Sequence, residues 1–368
     1  MKRNNEDELK TISGKLVELK KGKHLSLVYR YPTKDITKNI PTDDVLPLIA
    51  DIMNNSFLQA ELHTIEYYHF LTLFGNGKSK LRQKINDNIK HVSRTHDHEK
   101  NRLIASDKNI YLRALGVTNP EFRVKSKMSD KYKQINKYAE IIDDILKKTV
   151  LPEDPHIVDM GSGKGYLTFA LYDYFENIRK NKPHVWGVEI RKDLVDICNR
   201  IAKETTYENL HFIKDSIQES SFERIDFLLA LHACDTATDD AIYKGIQANA
   251  KLIVCAPCCH RQVRKNMNTT GVFSNITKHG ILMERQAETL TDTIRAMILE
   301  AFGYKTRVFE FISTSHTPKN VMIVASKYDD RKEADPEIVK QIQEIKNQFG
   351  IKYQHLEKLT GMFAFEGQ

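Results

Sequence analysis

No stretch of this 368-residue sequence holds the roughly 18–20 consecutive apolar residues that cross a bilayer as a helix. The opening residues, Met1-Lys-Arg-Asn-Asn-Glu-Asp-Glu8, also lack the apolar core of a signal peptide. A soluble, cytoplasmic protein with no membrane partner is expected. Cysteine is missing from the first 197 residues, and the five present (Cys198, Cys234, Cys255, Cys258 and Cys259) crowd into one third of the chain. An odd number with two adjacent does not suit a secreted disulfide framework, and reduced thiols of an intracellular enzyme are the simpler reading. No internal repeat or low-complexity linker is present, so neither a repeat array nor loosely tethered modules are expected.

What is present is ordinary globular material, 40% hydrophobic and 29% charged, at a length comfortable for two domains. The charge is uneven. Residues 1–150 hold 28 Lys+Arg against 19 Asp+Glu, and the remainder 28 against 30. A basic front half suggests a polyanionic partner, although lysines that merely solvate helices give the same count.

Leu25–Tyr31 reads as a strand ending at Pro32. Residues 42–75 read as helical, opened by Asp43, Asp44 and Pro47, with Leu48, Ile49, Ile52, Met53, Phe57 and Leu58 on one face and Gly75-Asn-Gly77 as the stop. The basic stretch Lys78–Lys84 and the polar segment 91–102 follow. A second amphipathic helix runs from Asp130, with Tyr132, Ile135, Ala139, Ile142, Ile145 and Leu146 on its apolar face. From Pro155 strands and helices alternate: strands at 157–159, 184–190, 210–214, 225–231 and 252–255, helices between them, a long helix at 283–302, and a closing hairpin of 305–312 with 321–326. This alternation predicts an α/β domain, a mostly parallel Rossmann-like sheet of seven strands with helices on both faces. A terminal amphipathic helix starts at Asp335.

The turn after the first of these strands reads Asp159-Met-Gly161-Ser-Gly163-Lys-Gly165. Glycines there let the backbone turn sharply and approach a ligand closely. A glycine loop alone also suits nucleotide-binding and dehydrogenase domains. The acids ending the first three strands narrow the choice. Asp159 suits the methionine end of S-adenosylmethionine, Glu189 can accept from both ribose hydroxyls, and Asp215, with Ser216 beside it, can accept from the adenine amino group.

Two further segments are distinctive, Leu231-His-Ala-Cys-Asp-Thr-Ala-Thr-Asp-Asp240 and Cys255-Ala-Pro-Cys-Cys-His260. With these the sequence resembles a branch of the class I S-adenosylmethionine-dependent methyltransferases over roughly residues 130–327. That branch includes the eukaryotic enzyme that methylates a ribose 2′-hydroxyl in the tRNA acceptor stem, and related bacterial and metazoan methyltransferase-domain proteins. Glu284-Arg285, Leu290-Thr-Asp292 with Arg295, and Thr317-Pro-Lys-Asn320 also look like family signatures. The chain departs from the tRNA enzyme in lacking its cysteine-rich zinc modules and in carrying Arg261 where a second histidine is expected. The resemblance implies S-adenosylmethionine as cofactor, held by Asp159, Gly161, Gly163, Gly165, Glu189, Asp215, Ser216 and Leu231.

In this architecture the tips of strands four and five border the transferred methyl group, which makes His232, Asp235, Cys258 and His260 the expected catalytic set, with Cys259 beside them. His232 can shift a proton near neutral pH, and Asp235 can orient it or act as base. Asp235 equally suits capping the helix that follows it. Cys234, Cys258, Cys259 and His260 offer zinc ligands, but adjacent cysteines look poorly placed for one tetrahedral ion, and no metal is expected. Ala256-Pro-Cys258 is similar to the Pro-Cys of RNA 5-methylcytosine enzymes, whose thiolate adds to the base, although there it follows the fourth strand. No Asn-Pro-Pro-Tyr type of motif is present, which argues against N6-adenine methylation.

Arg261, Arg264, Lys265 and Lys278 form one candidate phosphate-contact loop, and Arg94, His96, His98, Lys100 and Arg102 another. Tyr111, Phe122 and Tyr132 lie among basic residues and are candidates for base stacking. The expected organisation is a basic, mostly helical N-terminal domain (1–128) for RNA binding, a methyltransferase domain (129–328) and a C-terminal helical extension (329–368). The expected activity is methylation of RNA, tRNA or rRNA. The alternatives are a small-molecule or protein methyltransferase, and a non-catalytic RNA-binding assembly factor.

Overall fold

The computed structural model describes residues 9–19, 22–64, 66–86, 102–231, 233–310 and 321–362, in two compact units, Met1–Lys100 and Asn101–Gln368. His232, residues 91–100 and Thr317–Asn320 lie outside the described residues.

Unit 1 is mostly β, which corrects the helical expectation. Strands β1 (Thr11–Leu19), β2 (Gly22–Arg30) and β3 (Asp35–Pro41) form one antiparallel sheet. Helix α1 (Val45–Asn55) follows, and β4 (Gln59–His63), β5 (Tyr67–Leu73) and β6 (Ser79–Ile85) form a second antiparallel sheet. The helical periodicity expected over 42–75 therefore ends at Asn55. Beyond it, Tyr67, Tyr68, Phe70 and Thr72 favour a pleated strand over a helix, because branching at Cβ or a bulky ring restricts χ1 against the preceding helical turn. Gly75-Asn-Gly77 makes the β5–β6 turn instead of stopping a helix. Phe74 N–H donates to Lys78 O at 2.8 Å, and Gly77 takes φ +79°.

Unit 2 opens with α2 (Ile110–Ala114) and α3 (Ser129–Leu146). All six apolar positions expected on α3 are buried. Seven strands follow: β7 (His156–Met160), β8 (His184–Glu189), β9 (Leu210–Lys214), β10 (Phe227–Ala230), β11 (Leu252–Cys255), β12 (Tyr304–Glu310) and β13 (Val321–Lys327). Their order is β12-β13-β11-β10-β7-β8-β9, with β13 antiparallel to both neighbours and the remaining pairs parallel. The order reverses at β7, which makes the carboxyl ends of β7 and its neighbours the ligand-binding edge expected of an open α/β sheet.

Helices α4 (Tyr166–Asp173, continued by a π turn to Ile178), α5 (Lys192–Glu204), α6 (Thr236–Gln247), α7 (Arg261–Asn266), α8 (Ser274–Thr277) and α9 (Gly280–Ala301) lie between the strands. The C-terminal α10 (Pro336–Phe349) and α11 (His355–Leu359) complete the unit. Successive strand residues point to opposite faces, and each face has its own core. Ile157, Leu229 and Val254 pack with α3, α4 and α5, whereas Val158, Leu228 and Ile253 pack with α6, α9 and α10. Burial on both faces is why these strands read as continuous apolar runs.

The aromatics proposed for base stacking belong partly to the core. Tyr111 and Tyr132 are buried and thus unavailable to a base. Arg102 lies over the Tyr132 ring, and Arg113 over Phe122.

Candidate active site

The glycine loop follows β7 as expected. Gly161, Gly163 and Gly165 have φ of +80°, +58° and +72°, in the left-handed region that favours glycine. A Cβ on Gly165 would lie 3.1 Å from the rings of Phe169 and Phe212, so a side chain there would press on both rings. A Cβ on Gly163 meets nothing closer than Arg191 Nη2 at 4.0 Å, which leaves that part of the loop open to a ligand. Gly161 and Ser162 N–H both donate to Val188 O at 2.9 Å, fastening the loop to β8.

The three acids stand at the tips of β7, β8 and β9. Asp159 is buried, and Thr168 Oγ1 donates to its Oδ2 at 2.6 Å. Burial, and then the Glu189 charge, push its carboxyl up to about 6, against the favourable Thr168 bond. A buried anion with one side-chain donor suits a cationic ligand such as an α-ammonium group. Glu189 is also buried. Burial acts to raise its pKa, but hydrogen bonds from Arg191 and Gly163 and the Arg191 charge hold it below the ordinary value. Its Oε1 accepts from Arg191 N (3.1 Å) and Nε (2.9 Å), and its Oε2 from Gly163 N (3.0 Å) and Arg191 Nη2 (3.4 Å). These four bonds take up about the whole acceptor capacity of a carboxylate. A ribose diol therefore has to displace the Arg191 guanidinium, whose side chain is 60% exposed and free to swing away. Half-buried Asp215 accepts from Ser216 N at 2.8 Å, while Ser216 Oγ is engaged with Glu219. Leu231 is buried at the end of β10. The donor set and the open glycine fit the cofactor expected from the sequence.

The expected catalytic residues divide differently. Asp235 does not cap α6 with its side chain. Its Oδ1 instead accepts from Gln262 N, in the first turn of α7, at 3.2 Å. Its backbone, at φ +54° and ψ −120°, lies in a region that a non-glycine residue occupies only when its surroundings hold it there. Arg295 Nη2 supplies such a hold by donating to Asp235 O at 2.9 Å.

His260 is buried beside the expected site. It is 2% exposed, with Nε2 3.2 Å from Asp292 Oδ1, so its ring is anchored from within the fold. Asp292 also accepts from Arg295 Nη1 (3.1 Å), and Arg295 donates to both Asp239 carboxylate oxygens (2.8 and 3.2 Å). Gln354 Nε2 donates to Asp239 Oδ1 at 2.7 Å. The two signature segments, the α9 signature and the C-terminal extension thus meet in one buried polar network. Asp239, Asp292, Arg295 and Gln354 are the residues that the sequence did not assign a role. The available signal was the i,i+3 spacing of Asp292 and Arg295 within the apolar run of α9.

Cys258 Sγ lies 3.2 Å from Cys234 Sγ and 3.7 Å from Cys259 Sγ, and all five cysteines are free thiols. Burial, then hydrogen bonds with Cys234 and Cys259, push the Cys258 thiol up to about 12. A raised thiol favours the protonated form until a base or a metal ion takes up its proton. A cleft of about 490 Å³, lined by Cys259, His260, Arg261, Arg264, Ile281 and Glu284 among others, opens beside the cysteines, with Arg264 paired to Glu284 at 2.7 Å.

Residues 130–266 match the family model described as a methyltransferase domain. The glutathione S-transferase C-terminal domain-containing protein of Xenopus laevis is 27% identical over 222 residues, covering 53% of this chain and 34% of that protein. The Homo sapiens protein of that description is 25% identical over 218 residues, covering 53% and 32%. The matched region thus spans about a third of the length of these relatives. Among solved structures, the chain is similar to an rRNA methylase from Streptococcus thermophilus (13% identity, TM-score 0.34, covering 54% of this chain and 95% of that one). It is also similar to TYW2 of M. jannaschii in complex with AdoMet (17%, TM-score 0.32, covering 52% and 77%). With its seven-stranded, mostly parallel sheet, unit 2 has a Rossmann-like methyltransferase fold. Residues 130–266 therefore carry a methyltransferase domain.

Proposed function

We propose that this enzyme methylates RNA, a tRNA or rRNA, with unit 1 supplying an RNA-binding surface and unit 2 the chemistry. The observation that carries this reading is the β4–β5–β6 sheet. Lys80, Arg82 and Lys84 alternate along β6, so they share one face, and register places them opposite Thr72, Phe70 and Tyr68. All three cations are exposed, and Tyr68 and Phe70 are partly exposed. Cations for phosphates beside aromatic rings for unstacked bases are the elements of a single-strand-binding sheet.

In unit 2 the proposed cofactor contacts are Asp159 to the ammonium group, Gly161, Gly163, Gly165 and Leu231 around the body of the molecule, Glu189 to the ribose, and Asp215, with Ser216 beside it, to the adenine. The bound cofactor supplies an electrophilic methyl group. The chain's part is to exclude water, aim the acceptor and take up its proton, for which Asp235, and His232 outside the described residues, are the proposed groups.

The test is transfer of labelled methyl from S-adenosylmethionine to total RNA from a strain lacking the gene, beside wild-type RNA. Label entering only the former supports the reading. Labelling of protein or small molecules instead would overturn it. Replacing Lys80, Arg82 and Lys84 by alanine should weaken binding across RNA sequences and flatten the slope of log affinity against log salt by about 2. An unchanged slope counts against this surface.

A further inference from the structure

We infer that Cys234, Cys258 and Cys259 form a metal site taking one soft divalent ion of the zinc type. Among the described residues these three thiols are the one group of three or more such ligand side chains whose donor atoms converge, all lying within 4.8 Å of one another. Zinc–sulfur bonds of about 2.3 Å at tetrahedral angles set sulfurs roughly 3.8 Å apart. The separations here, 3.2 Å for Cys234–Cys258 and 3.7 Å for Cys258–Cys259, need only small rotamer adjustments to reach that spacing. The adjacent pair looks unfit to chelate in sequence, yet both sulfurs fall on the same side of the loop.

The loops are also held in place before any ion arrives. Cys234 follows β10 and Cys258-Cys259 follows β11, which is paired with it in parallel, so both turns emerge at one sheet edge. Asp235, the residue after Cys234, ties the first turn to the second through the Gln262 amide, while buried Arg295 grips its carbonyl. Such support fixes first ligands in place and raises metal affinity. Cys234 is exposed, so the cluster is open to solvent at that thiol, and the three cysteines leave one of four tetrahedral positions for another ligand. Three protein ligands with one open position is the arrangement of zinc sites that bind water or substrate. Cys259 also lines the cleft that holds Arg261, a cation suited to offset the negative charge of three thiolates around one dication.

The full-length chain, reduced and metal-stripped under anaerobic conditions, should be titrated with Co²⁺ and then Zn²⁺. One equivalent of Co²⁺ should produce thiolate-to-cobalt charge-transfer absorption with tetrahedral d–d bands, and Zn²⁺ should bleach both. Cys234→Ser, Cys258→Ser and Cys259→Ser should each lower affinity by at least ~100-fold, since losing a ligand costs more than losing its supporting contact. Cys198→Ser, on α5, should leave the titration unchanged. Zn²⁺ should also protect these three thiols from alkylation in the wild-type chain, read by peptide mapping, which keeps the test sound if a variant misfolds. Uptake indifferent to all three substitutions, or no uptake with a Cys234–Cys258 disulfide forming in air, would overturn the inference.

Discussion

Asp159→Asn should make the protein more stable and at the same time unable to hold its cofactor. In the folded chain the Asp159 carboxyl is raised from 3.8 to about 6. At neutral pH the buried anion thus costs roughly two pKa units, about 3 kcal/mol as an upper figure. The sign follows from proton affinity. The folded state binds this proton more tightly than the unfolded chain, so the penalty is fully present above pH 6 and disappears as pH falls toward 4. Asparagine removes the charge while keeping an oxygen to accept from Thr168. For a unit of this size the gain corresponds to roughly 6–12 °C in Tm. The assay is thermal unfolding from pH 5 to 8, with and without S-adenosylmethionine. Without ligand the variant should melt above wild type at pH 7.5, with the gap closing on acidification. Ligand at 100 times its wild-type Kd should raise wild type by about 2.7 kcal/mol and leave the variant unmoved. A variant less stable than wild type by an amount that does not change with pH would refute the reasoning.

Arg191→Ala should free the Glu189 carboxylate and tighten S-adenosylmethionine binding by up to about fivefold, the worth of an ion pair of about 1 kcal/mol whose Arg191 side is solvated. Weaker calorimetric affinity would show that Arg191 holds the cofactor and does not compete with it. Gly165→Ala should destabilise by about 1–3 kcal/mol in urea unfolding, since its φ is left-handed and its Cβ would press on Phe169 and Phe212. Arg295→Met should cost about 3–5 kcal/mol by leaving Asp239 and Asp292 buried without their cation. A loss under 1 kcal/mol would mean that neutral partners suffice there.

The catalytic half of the fold was legible because its strands are buried on both faces and its turns are written in glycine and acid. Asp159, Glu189 and Asp215 each end a strand, and nothing but a sheet with those tips aligned gives the spacing meaning. Unit 1 was not legible. Its strands are largely exposed, so few of their positions had to be apolar, and the α1 periodicity carried an apparent helix past Asn55 into residues that pair as β4 and β5. The anchoring of His260 was hidden for a related reason. Its neighbours fix where its backbone lies, but the direction of its ring depends on Asp292, 32 residues further along. The value of Asp235 as a brace is likewise invisible until the Gln262 amide comes within reach.

The tie from Gln354 and His355 back to Asp239 and Asp240 bears on how this domain can be cut or exchanged. A fragment ending at residue 266, where the recognisable methyltransferase stretch stops, would leave β11 as a bare sheet edge, because its partner β13 comes 55 residues later. Such an edge invites pairing between molecules. A fragment ending after β13 would close the sheet but strip two carboxylates of partners contributed by α11 and the residue before it. Residues 102–362 therefore have to travel together in expression, in domain swaps and in any recombination that leaves a folded enzyme behind.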